Sequence, residues 1–83
     1  MREANTFHRK EVIIDEPGWY IARNGDSIQI TDIGDPVRAS FNCHGYHHYL
    51  TPTGKKKSEW NIWAPNGAFI ALGIHPEDVI SKR

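Results

Sequence analysis

A chain of 83 residues forms one domain that buries about 60% of its unfolded-chain surface, a modest core with little room for a deep enclosed active site. Ten Lys and Arg balance ten Asp and Glu, leaving zero formal net charge, which argues against a protein whose main task is coating nucleic acid. Hydrophobic residues at 39% and charged residues at 24% are ordinary globular values.

Residues 1–10 are polar and aperiodic, a flexible arm ahead of a single β domain spanning 11–83. "EVIID" (11–15) reads as a first strand with Val12 and Ile14 on one side, and "EPG" (16–18) turns the chain. In "GWYIARNGDSIQI" (18–30), Asn24-Gly25 between two alternating runs is a strong hairpin signal. A two-residue turn there pairs Arg23–Asp26, Ala22–Ser27, Ile21–Ile28, Tyr20–Gln29 and Trp19–Ile30. Trp19, Ile21, Ile28 and Ile30 then face the core, and Tyr20 faces out with Ala22, Ser27 and Gln29.

"DIGDP" (32–36) is turn chemistry, and "VRASFNC" (37–43) alternates as a strand with Val37, Ala39, Phe41 and Cys43 inward. "NCHG" (42–45) is either a tight turn or a bulge in a long strand. "YHHYL" (46–50) is extended and "TPTGKKKS" (51–58) an exposed loop. "WNIWAPNGAFIAL" (60–72) repeats the first hairpin with one extra residue, Pro65. Pro-Asn-Gly suits a three-residue loop that pairs Ala64–Ala68, Trp63–Phe69, Ile62–Ile70 and Trp60–Leu72, with Trp60 and Ile62 inward and Trp63 and Phe69 outward. "HPEDVI" (75–80) reads as one helical turn, Pro first and acids following. Together these predict an all-β fold: a small barrel or strongly bent antiparallel sheet of five to seven short strands, with one C-terminal helical turn.

The candidate contact surface is the outward aromatic set Tyr20, Trp63 and Phe69, extended by His47, His48 and Tyr49. Aromatic platforms on sheets grip single-stranded nucleic acid and serve as hot spots for partner proteins. The same set is open to burial by a strongly bent barrel, or to homo-oligomer contact. Lys55, Lys56 and Lys57 can contact phosphate, or remain a solvated loop. Cys43, His44, His47 and His48 are metal-competent, but their spacing matches no established zinc framework, so no metal or cofactor is expected. The carboxylates sit mostly at turns, where local hydrogen bonding accounts for them; no serine has a nucleophile-elbow context, and no Gly-rich phosphate loop is present. The chain is therefore read as non-catalytic. The lone cysteine suits a reducing compartment, and no apolar run approaches the ~20 residues that span a bilayer. With no apolar signal segment at the N-terminus, a soluble cytoplasmic protein is expected.

The order Arg23-Asn24-Gly25, Asp35-Pro36-Val37, Gly45-Tyr46, Glu59-Trp60, Asn66-Gly67 and His75-Pro76-Glu77-Asp78-Val79 resembles a loosely defined set of small phage and prophage proteins. Those run R-D-G, P-V-x-G, S-W, D-G and a terminal P-x-D-L-V. The similarity covers residues 18–80; Asn stands for the Asp of both turns, and the histidine cluster is a departure. The resemblance implies a phage or mobile-element origin and a compact β fold, and carries over no activity. The expected role is that of an accessory factor that binds or sequesters a host component, an anti-defence factor acting on a host protein or small nucleotide signal. Nucleic-acid binding and structural assembly are the alternatives.

Overall fold

The computed structural model describes residues 12–83; the expected arm at 1–10 lies outside the described residues. Among them five strands, β1 (Gly18–Ala22), β2 (Ser27–Ile33), β3 (Cys43–Leu50), β4 (Lys56–Trp63) and β5 (Val79–Lys82), form one antiparallel sheet in the order β4-β3-β2-β1-β5. The fold is all-β, as expected. Among the described residues the sheet is open rather than a closed barrel, with β4 and β5 at its two edges.

One corner is used three times. Ala22 N–H donates to the Asp26 carbonyl and Gly25 N–H to that of Ala22, each at 2.9 Å; Thr51 with Lys55 and Gly54, and Ala64 with Ala68 and Gly67, repeat the pattern at 2.8–2.9 Å. Each loop closes on a glycine at positive φ: 92° at Gly25, 86° at Gly54 and 89° at Gly67. The three-residue loop expected at Pro65-Asn66-Gly67 is present, and it also replaces the two-residue turn expected at Asn24-Gly25. A two-residue I′ turn needs positive φ at both central positions; this loop asks it of glycine alone, and among the described residues no other residue type has positive φ.

That extra loop residue shifts β1 by one position against β2. Tyr20 pairs with Ile28 and Trp19 with Gln29, so the phase of β1 inverts while Ile28 and Ile30 stay inside. Tyr20, Ala22, Ile28, Ile30, Cys43, Trp63, Val79 and Ile14 are the buried core, with Ile13, Ile33 and Phe69 packed against it. The second hairpin departs further. After Ala68 the chain bends through 69–73 instead of returning as a strand, and β4 pairs with β3, placing Trp63 opposite Cys43 and Trp60 opposite Tyr46. Trp63 is therefore 0% exposed and Trp60 53%, the reverse of the expected facing.

Three further expectations are corrected. Residues 12–15 form no strand; Val12 is exposed and Ile14 buried, and the N–H groups of Ile13 and Ile14 both donate to the Pro65 carbonyl. Residues 37–42 form a turn and irregular chain, with Val37 in solvent. Residues 75–78 form a hydrogen-bonded turn, Asp78 N–H to the His75 carbonyl at 3.0 Å, and no helix.

The connection 64–78 packs along the core side of the sheet and is held there by polar groups. Asp78, 1% exposed, accepts from Phe69 N–H and His75 N–H, both at 2.9 Å, and from the Arg23 guanidinium at 3.4 Å. Arg23 N–H donates to the Asp78 carbonyl (2.7 Å) and Asn24 N–H to that of Pro76 (3.0 Å). Trp63 Nε1–H donates to the Glu77 carbonyl at 2.8 Å, which satisfies the one polar atom of the buried indole. Among the described residues, the opposite face of the sheet receives no such cover.

Candidate functional site

The expected contact residues divide between the two faces. Tyr20 and Trp63 are in the core, Tyr20 with its hydroxyl donating to the Glu16 carbonyl at 2.7 Å. Phe69 packs on Trp63 at 5.9 Å and on His75 at 4.7 Å. These three offer no outward platform. His47 is also buried: Nε2 lies 2.7 Å from Asp26 Oδ2, and Nδ1, without a hydrogen bond, lies 3.2 Å from Glu77 Oε1. Tyr49 stacks on His47 at 5.1 Å and donates to Glu59 at 3.2 Å. Partial burial and then the Glu59 carboxylate raise its phenol above the ordinary value.

Strand alternation explains why the histidine cluster does not converge. Cys43 and His47 point to the core, His44 and His48 to the open face. Among the described residues no group of three or more His, Cys, Asp or Glu is placed to hold a metal ion. Burial pushes the Cys43 thiol up to about 11.

The open face carries what the sequence reading had placed inside. Trp19, Gln29, Tyr46 and Trp60 lie on one cross-strand rung running from β1 to β4. The rings form a continuous ladder. His44 stacks on Trp60 (6.0 Å, 17°), Trp60 meets Tyr46 edge-on (5.1 Å, 72°), Tyr46 leads to His48 (6.3 Å), and His48 packs on Trp19 (5.2 Å). The Arg83 guanidinium ends the series 5.4 Å from the Trp19 centroid. Trp19 is 44% exposed; Leu50 adds exposed apolar area at the groove beside it, and Ile62 does so on β4 next to the Trp60 end.

The ladder is held in place. His48 Nδ1 lies 2.7 Å from Ser58 Oγ and Nε2 lies 3.1 Å from Gln29 Oε1, so both ring nitrogens are engaged across three strands. His44 Nδ1 lies 3.0 Å from Asp32 Oδ2. Beside Trp19 and His48 opens a groove of about 470 Å³ whose charged lining, among the described residues, is Lys56, Lys57 and Arg83, with no carboxylate among them. The carboxylates of Asp15 and Glu16 are engaged by Lys82 instead, at 2.9 and 3.0 Å. Their pull raises the Lys82 ammonium, and hydrogen bonding to Lys82 lowers Asp15. A neutral total thus conceals a locally cationic edge.

Of the expected site residues, His48, Tyr49, Lys56 and Lys57 come together at this groove, while Lys55 sits in the adjoining loop. Trp19, Tyr46, Trp60, Gln29 and Arg83 were missed. One signal could have found two of them: Pro52-Thr53-Gly54 has the same form as Pro65-Asn66-Gly67, and reading it as a hairpin loop pairs Tyr46 with Trp60 directly. No helix among the described residues is long and apolar enough to cross a membrane. Comparison with protein-family models, curated proteins and solved structures finds no match.

Proposed function

We propose that this is a non-catalytic binding protein that takes the bases and phosphates of a nucleotide ligand on its open sheet face. One observation carries the reading. The rung Trp19–Gln29–Tyr46–Trp60 presents three aromatic rings to solvent on the side of the sheet that no described residue covers, beside a groove whose charged side chains, among the described residues, are cationic. Rings on a sheet stack bases regardless of sequence, and neighbouring lysine and arginine neutralise phosphate. The resemblance to phage and prophage proteins supplies a setting: sequestration of a nucleotide signal or nucleic acid in the host cytoplasm.

Titration of the intrinsic tryptophan fluorescence with adenine nucleotides and single-stranded oligonucleotides, at 50 and 200 mM salt, tests this. Quenching that weakens at the higher salt supports it. No quenching, or a dimer in light scattering that shields Trp19 and Trp60 from acrylamide, refutes it and assigns the face to self-association.

A further inference from the structure

We infer that the open face holds two separate base seats, and that its ligand class is therefore an unpaired, open-chain oligonucleotide rather than a mononucleotide. This rests on the base-stacking reading above and adds a length requirement to it. Trp19 lies on β1 and Trp60 on β4 of the same rung, three strand spacings apart, or about 14 Å. Stacked rings have centroids within about 4.5–7 Å, so no single base reaches both. The residue between Trp19 and Tyr46 on the rung is Gln29, whose amide oxygen is taken up by His48; it offers no third ring. One seat is Trp60, flanked by Tyr46 and His44. The other is Trp19, flanked by His48 and capped by Arg83. Four-stranded sheets with rings placed this way stack two or three bases.

The two seats differ in charge. Lys56, Lys57 and Arg83 line the groove beside Trp19, whereas the charged neighbour of the Trp60 seat is Asp32, engaged by His44. Phosphate is therefore clamped at the Trp19 end, which gives a bound strand a preferred direction. A duplex, with its bases stacked on one another, presents no free base face to either seat.

The test uses the full chain, tryptophan quenching, and five probes: AMP, a cyclic dinucleotide, di- and tetra-adenylate, and a 20-bp duplex. The tetranucleotide should bind at least ten-fold more tightly than AMP, about 1.4 kcal/mol, with the cyclic dinucleotide and the duplex near the AMP level. Trp19→Ala and Trp60→Ala should each bring the tetranucleotide down to the AMP level while leaving the far-UV circular dichroism unchanged. Equal affinity for AMP and tetranucleotide, or a Trp60→Ala protein that binds like wild type, overturns the two-seat inference alone. A cyclic dinucleotide as tight as the tetranucleotide overturns the open-chain assignment. Absence of quenching by every probe instead removes the base-stacking reading beneath it.

Discussion

Replacing Asp78 with alanine removes the acceptor that ties the connection 64–78 to the sheet. Its two oxygens receive the N–H groups of Phe69 and His75, each at 2.9 Å, at a position that is 1% exposed. Truncation strands two main-chain donors, at a cost of about 1–3 kcal/mol each. Loss of the Arg23 ion pair adds little, because the two groups are 3.4 Å apart and the arginine side chain is 37% exposed. The sum, about 2–6 kcal/mol, compares with a total stability of about 4–12 kcal/mol for a chain of this length. At roughly 4–8 °C per kcal/mol, Tm should fall by at least about 8 °C. Urea unfolding followed by Trp63 fluorescence reads the change, and Arg23→Ala serves as the internal comparison at under about 1 kcal/mol. Because Asp78 lies on the core side of the sheet, the variant's folded fraction should leave binding of the proposed ligand as in wild type. A cost below about 1 kcal/mol for Asp78→Ala, or an equal cost for Arg23→Ala, would refute the claim that stranded amides dominate.

Gly45→Ala should cost about 3 kcal/mol or more, since a Cβ there would strike the Gln29 carbonyl oxygen and come within 2.9 Å of the Ile30 Cα; a urea midpoint within 1 kcal/mol of wild type contradicts this. For Cys43, burial raises the folded thiol to about 11 from an ordinary 9.0, so the folded state disfavours ionisation. The stability this contributes is fully present below pH 9 and is lost toward pH 11, at up to about 1.4 kcal/mol per pH unit. Wild type should therefore lose stability relative to Cys43→Ala between pH 9 and 11, and a pH-independent difference in urea unfolding would argue against it. Three phosphate contacts from Lys56, Lys57 and Arg83 predict a log–log salt slope near −2 for single strands, and Arg83→Ala should flatten it by about 0.7. An unchanged slope removes Arg83 from the phosphate clamp.

What the sequence conveyed well was local. Short alternating runs between turn residues gave the all-β class, and Pro-Asn-Gly gave its own loop correctly down to the Ala64–Ala68 pair. Facing was lost through one loop residue. Asn24-Gly25 satisfies both a two-residue and a three-residue turn, and the choice inverts every side chain of β1. In β4 the error was one of partner: "WNIWAPNGAFIAL" looks like a hairpin, but the residues after Ala68 are drawn to Asp78, and β4 takes its phase from β3. Apolar character could not arbitrate, because tryptophan stands at both 60 and 63. The polar atoms do so in the structure, where the Trp63 indole has a carbonyl waiting at Glu77.

The uncovered rung also bounds what one chain can take up. Among the described residues no lid or strap lies over it, so on the proposed reading a base reaches Trp19 and Trp60 without any strand rearranging. On the proposed reading, depletion of a ligand is then stoichiometric: one chain removes at most what its own face holds.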